Sequence, residues 1–153
     1  MKSVAVLVLF LVAAFGAAAF GALFPPGSWY EQLVKPPWTP PNWVFAPVWT
    51  LLYVLMGVSG WLVWRRAGFS AAPAAFSAFA LQLVLNGTWS WLFFGLHRPG
   101  IAFGEILLLW MAILVTIFLF WKKTWLAGAI LLPYLVWVSF AAVLNWKLWQ
   151  LNG

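Results

Sequence analysis

The sequence predicts an all-α integral membrane protein: a bundle of five transmembrane helices, with a long Pro/Trp-rich loop between helices 1 and 2 capping an internal pocket. Three observations predict it. Hydrophobic residues make up 66% of the 153 residues and charged ones only 7%, against roughly 25% charged in a soluble domain. Five apolar stretches are each long enough to cross a bilayer core of ~30 Å, which takes about 20 residues. Between the first two lies one long connection, and the other connections are short.

The composition excludes whole classes. Ten charged side chains cannot coat a soluble enzyme of this size, and a mean hydropathy of +1.00 excludes a disordered chain. The net charge of +6 is not a nucleic-acid patch, because the eight Lys and Arg stand at the edges of apolar runs. There is no Cys and a single His, so thiolate chemistry, disulfides and clustered metal ligands are disfavoured. Trp, by contrast, occurs 14 times.

The predicted spans are 4–24, 44–64, 73–96, 101–121 and 125–148, forming one membrane domain over 1–153. Backbone groups in lipid must be satisfied internally, so the spans are helices, and no alternating barrel pattern competes. The first span also resembles a secretory signal, with Lys2, an apolar run and Ala17 to Ala19. Its run continues unbroken to Phe24, which favours a span. Pro133 is expected to kink the fifth span, since it lacks a backbone donor. Ala71, Ala74, Ala75 and Ala78 suit close helix contact, within the chain or between subunits.

Charge sets the orientation. Lys2, Arg65, Arg66, Lys122 and Lys123 lie opposite the long loop; Lys35, Arg98 and Lys147 lie on its side with Glu31. The expectation is a cytoplasmic N-terminus with the loop outside, in an inner membrane. Trp43, Trp61, Trp64, Trp121, Trp125, Trp146 and Trp149 fall near span ends, as an interfacial aromatic belt requires. Trp49, Trp89, Trp91, Trp110 and Trp137 do not, and lie inside spans.

At ~1.5 Å per residue, Trp49 and Tyr53 lie roughly 8 and 14 Å below the loop-side surface. Asn86, Trp89, Trp137 and Ala141 fall between roughly 10 and 16 Å, and Glu105 at roughly 6 Å. Trp49 and Tyr53 share a helix face, as do Asn86, Trp89, Ser90 and Phe93, and Trp137, Ala141 and Asn145. Two readings of these stripes stand: an aromatic pocket with few polar groups, or interhelical packing held by Asn86 and Ser90. Glu105, the one acidic residue within a span, reads as a ligand or proton site, an acceptor for indole N–H groups, or a partner of Arg98. The loop FPPGSWYEQLVKPPWTPPNWVF, from Phe24 to Phe45, holds six of the ten prolines. Its Trp29, Tyr30, Trp38 and Trp43 suit a segment folded back over the bundle rather than a linker.

Three motifs in order carry a resemblance: GSWYEQLVKPPWTPPNWVFAPVWTLLY from Gly27 to Tyr53, NGTWSWLFF from Asn86 to Phe94, and PYLVWVSFAAVLNW from Pro133 to Trp146. Across essentially its whole length the chain resembles the tryptophan-rich sensory proteins. These are the TspO/translocator protein family, also called peripheral-type benzodiazepine receptors. The resemblance implies a five-helix membrane protein, often a homodimer, whose long loop covers a central pocket. It implies porphyrin ligands such as protoporphyrin IX or haem, with sterol and benzodiazepine-type ligands in animal relatives, and no required cofactor or metal. Bacterial relatives are described as stress- or oxygen-linked sensors, some placed in the outer membrane.

By motif position the ligand-binding residues would be Tyr30, Trp38, Trp49, Tyr53, Asn86, Trp89, Trp137 and Ala141. Trp49 and Trp137 match positions tied to light- and oxygen-dependent porphyrin breakdown, the one catalytic role the resemblance suggests. The residues offer no nucleophile–base pair or metal cluster for conventional catalysis. The family's sterol motif is altered here: Leu144, Asn145, Trp146 and Lys147 put Trp in place of Tyr and leave no spacer. Transport of tetrapyrrole or sterol-like molecules is the alternative function, and a structural partner in a larger assembly a further one.

Overall fold

The computed structural model describes residues 2–153, and among them every regular element is helical. The elements are α1 (Lys2–Ala22), α2 (Ser28–Gln32), α3 (Asn42–Ala67), α4 (Pro73–Ser90), α5 (Pro99–Lys123), α6 (Trp125–Ala129) and α7 (Leu132–Asn152). A π-helical turn, Trp91–Gly95, extends α4.

Proline and charge mark the helix ends. Pro73, Pro99 and Pro133 stand in the first turns of α4, α5 and α7, where a missing N–H costs no hydrogen bond. Arg65 and Arg66 close α3, and Lys122 and Lys123 close α5, each at the negative end of the helix dipole. Gly68 follows α3 at φ +73°, a left-handed conformation that glycine adopts freely.

Four helical stretches are long and apolar enough to cross a membrane: Lys2–Ala22, Asn42–Ala67, Pro99–Lys123 and Trp125–Asn152. Their outer surfaces are greasy. In α1 only Phe10 and Ala14 are buried, while Val4, Val8, Leu9 and Val12 are exposed. A helix apolar all round belongs in lipid rather than water. The α4 helix is not among the four. It carries Gln82, Asn86, Thr88 and Ser90 within 18 residues.

Helix boundaries depart from expectation in two places. The first helix ends at Ala22 rather than Phe24, because Pro25 disfavours the helical conformation of the residue before it. The expected kink in the last span is a break: α6 ends at Ala129 and α7 begins at Leu132, with Pro133 in its first turn.

The packing order explains the interior. α1 packs against α3 and α4, α4 against α5, and α5 against α7. A Cβ at Gly57 or Gly60 would come within 2.5 Å of Leu11 or Phe10, so these glycines allow α1 to close on α3. The circuit returns to α3 through α6, where Ser59 Oγ donates to the Ala127 carbonyl at 2.7 Å. Beyond the break, α7 lies along α5, and α3 meets it mainly through aromatic rings. Trp49 is edge-on to Tyr134 at 6.3 Å, and Phe45 to Trp137 at 5.9 Å.

Candidate ligand-binding site

Between these rings lies a cavity of about 690 Å³. Its walls come from α1 (Phe15, Ala18, Gly21), α3 (Phe45, Trp49, Tyr53), α4 and its π turn (Asn86, Trp89, Ser90, Phe93), α5 (Ile106, Leu109) and α7 (Trp137, Ala141, Asn145). Phe24, Pro25, Pro26 and Tyr30 reach it from the long loop. Seven of the eight residues expected at the site line this cavity; the exception is Trp38. Trp38 is 44% exposed and lies edge-on to Phe140, whose ring is 5.5 Å from that of Trp137. It therefore stands one ring removed from the cavity wall.

Helical spacing builds the walls. Trp49 stacks on Tyr53 one turn below it, at 5.6 Å and 29°. Trp89 stacks on Phe93 at 5.0 Å and 20°. The rings thus present flat faces in pairs, a lining suited to a flat hydrophobic guest.

The polar groups are few and mostly engaged. The Tyr53 hydroxyl donates to Asn86 Oδ1 at 2.5 Å, and Asn86 Nδ2 donates to the Tyr134 hydroxyl at 2.8 Å. Tyr134 in turn donates to Gln82 Oε1 at 2.8 Å. This buried series ties α3, α4 and α7 together. Trp89 Nε1 donates to Asn145 Oδ1 at 3.0 Å, and Asn145 Nδ2 to the Pro99 carbonyl at 2.8 Å. Asn86 is thus both an interhelical tie and a residue of the cavity wall. Trp137 Nε1, by contrast, is buried without a partner.

Glu105 corrects two of its three readings. It pairs neither with Arg98 nor with an indole: both carboxyl oxygens are buried without a partner. It sits on the inward face of α5 with Ala102, Ile106 and Leu109, whereas Arg98 is exposed at the start of that helix. His97 stacks on Trp29 at 4.4 Å and 11°, away from the cavity lining. Among the described residues no three His, Cys, Asp or Glu side chains converge as a metal site.

The long loop is braced internally by Lys35 and packed on the π turn through Tyr30. Lys35 Nζ donates to the carbonyls of Tyr30, Glu31 and Leu33 and lies 4.6 Å from the Tyr30 ring centre. Tyr30 is buried against Phe93 and Phe94, and burial pushes its phenol pKa up.

Sequence comparison adds a family to these observations. A model of the TspO/MBR family matches residues 5–150.

The chain belongs to the TspO/MBR family.

Protein CrtK of Rhodobacter capsulatus is 40% identical over 151 residues, covering 98% of this chain and 94% of the relative. The tryptophan-rich sensory protein of Cereibacter sphaeroides is 36% identical over 148 residues, covering 97% and 92%. The translocator protein of Ovis aries is 42% identical over 126 residues, covering 81% and 75%. TspO/MBR membership and the apolar helices make this a membrane protein.

Sequence reasoning missed two residues that brace the site from behind its wall. Tyr134 and Gln82 carry the buried polar series but were not singled out as its members. The signal for Tyr134 was present: it precedes Trp137 by three residues and Ala141 by seven, on the same helical stripe.

Proposed function

We propose that this protein is a membrane receptor or sensor. It binds porphyrins, protoporphyrin IX foremost and also haem, with related flat hydrophobic ligands, in the cavity between α3 and α7. The observation that carries this reading is the cavity itself. Its volume, about 690 Å³, falls within the ~300–1,000 Å³ of small-molecule sites. Its walls are paired ring faces with few free polar groups.

In this reading Tyr30, Trp49, Tyr53, Asn86, Trp89, Trp137 and Ala141 contact the ligand, and Trp38 closes over it from the loop. α4 and its π turn form the fifth crossing of a five-helix bundle. From Pro73 to Gly95 they are long enough at ~1.5 Å per residue, and Gln82 and Asn86 are buried within the protein. The loop from Phe24 to Phe45 is the cap. The N-terminus is cytoplasmic in an inner membrane, and the protein is a homodimer. Trp49 and Trp137 promote breakdown of the bound porphyrin under light, with dioxygen as the oxidant. The names of the relatives, a sensory protein and a translocator, support a sensor or a carrier.

Transport of tetrapyrrole or sterol-like molecules is the second reading. It is favoured by the contribution of Phe15, Ala18 and Gly21 to the cavity wall. They belong to α1, the helix with the fewest buried residues among the candidate spans, so an apolar cargo could pass between lipid and cavity there. Flux of a porphyrin across sealed vesicles would favour this reading over a receptor.

The deciding test is a dark titration of detergent-purified protein with protoporphyrin IX, read by Trp fluorescence. Trp137→Phe and Ala141→Leu variants run alongside, with haem as competitor. Saturable quenching weakened by both substitutions is the expected result. Unsaturable quenching, or equal quenching in all three proteins, would mean surface partitioning and would sink the proposal.

A further inference from the structure

A second opening lies at the other end of the molecule. It is a cleft of about 230 Å³ between the start of α4 and the end of α5. Its walls are Ala71 through Ala75 and Leu119, and the stems of Lys122 and Lys123 complete the lining. Lys122 Nζ lies 4.3 Å from the centre of the Phe118 ring, so the chain runs back along its own helix. Lys123 Nζ donates to the Ala71 carbonyl at 2.8 Å, which uses one of its three donors and fixes the ammonium at the mouth.

The surroundings have one sign. Lys2 opens α1, Arg65 and Arg66 close α3, and the two lysines close α5. The two acidic residues lie elsewhere: Glu31 in α2, and Glu105 buried early in α5. Trp121 and Trp125, both exposed, bracket the lysines in sequence. Exposed Trp beside Lys marks the depth of lipid headgroups.

We propose that this cleft binds an anionic phospholipid. The headgroup phosphate meets Lys122 and Lys123, and an acyl chain lies along the seam between α4 and α5. Basic recesses between membrane helices suit such headgroups. The apolar walls decide for a lipid over a free anion: a soluble phosphate would gain only two solvated lysines, whereas a lipid also covers alanine and leucine surface. A second copy of the chain fits poorly, since a two-fold contact would set like-charged lysine pairs against each other.

The test is native mass spectrometry of the full chain from micelles holding equal phosphatidylglycerol and phosphatidylcholine. Wild type should retain phosphatidylglycerol preferentially. Lys122→Gln with Lys123→Gln should weaken that retention about 25-fold, roughly fivefold per lysine. Arg65→Gln with Arg66→Gln removes the same charge from α3 and should change it by no more than about threefold. Ala74→Leu fills the cleft with every charge kept and should also lower retention. Equal losses in the two double variants would reduce the effect to diffuse attraction and overturn the site. Displacement by millimolar inorganic phosphate would overturn the lipid assignment. A dimer-to-monomer change in Ala74→Leu with phosphatidylglycerol still bound would give the cleft to a second copy.

Discussion

The side-chain amide of Asn152 is paired with the backbone of Val34. The Val34 N–H donates to Asn152 Oδ1 at 2.9 Å, and Asn152 Nδ2 donates to the Val34 carbonyl at 3.0 Å, across 118 residues of sequence. The last turn of α7 thereby holds the long loop, as a neighbouring strand would. Asn152→Ala should release the loop locally at a cost of about 1–2 kcal/mol. Asn152→Asp, which keeps only the acceptor, should lie between. Backbone hydrogen exchange at residues 28–35 should rise from wild type through Asn152→Asp to Asn152→Ala, while α3 and α5 stay protected.

The series Tyr53–Asn86–Tyr134–Gln82 makes a second prediction. Tyr134→Phe removes the hydroxyl that accepts from Asn86 and donates to Gln82, leaving two buried polar groups short of a partner. The loss should be about 1–3 kcal/mol, read as a lower midpoint of thermal unfolding in detergent. Combined with Asn86→Leu the effect should be less than additive, because both changes break the same series. Full additivity would mean that the two act apart.

At the contact of α1 with α3, Gly57→Ala should be disruptive despite its small size. The new Cβ would stand 2.5 Å from Leu11 Cδ2 and 3.1 Å from Leu11 Cα, so the backbone itself must retreat. About 1–3 kcal/mol is expected from overpacking. Gly104→Ala serves as the control, since nothing lies within 4 Å of its Cβ position.

The cavity reading separates binding from chemistry. Trp49→Phe keeps an aromatic wall and should bind protoporphyrin IX within about threefold of wild type, ring contacts being worth about 0.5–1.5 kcal/mol. Light-dependent bleaching of the bound porphyrin should fall far more than that. Ala141→Leu should do the reverse in kind: it fills the cavity, so binding itself falls, and bleaching falls only in proportion. Bleaching unchanged in Trp49→Phe at full occupancy would remove that indole from the reaction.

The sequence carried most of the wall and little of what ties it together. Trp49 with Tyr53, and Trp137 with Ala141, were legible because a helix repeats its face every three to four residues, and span ends fix depth. Trp38 was not placed by that argument, since a proline-rich loop has no period to read. The pairing of Glu105 with Arg98 failed because proximity in sequence says nothing of side-chain direction: one is on an inward face, the other exposed. The partnership of Tyr134 with Gln82 joins residues 52 apart and depends on how two helices meet. The break before α7 was visible only as Pro133, which tells of a lost donor but not of where the next helix leans.

That break has a consequence for how the protein can change. Since α3 and α7 face each other through Phe45, Trp49, Tyr134 and Trp137 rather than backbone to backbone, the scaffold and its infill are separable. Exchanging Phe45, Trp49 or Trp137 for another ring would redraw the inner contour without moving a helix axis, whereas Tyr134 is held by its hydrogen bonds. Guests of different outline could therefore be accommodated in one architecture by a handful of side-chain replacements, with the membrane-facing shell left as it is.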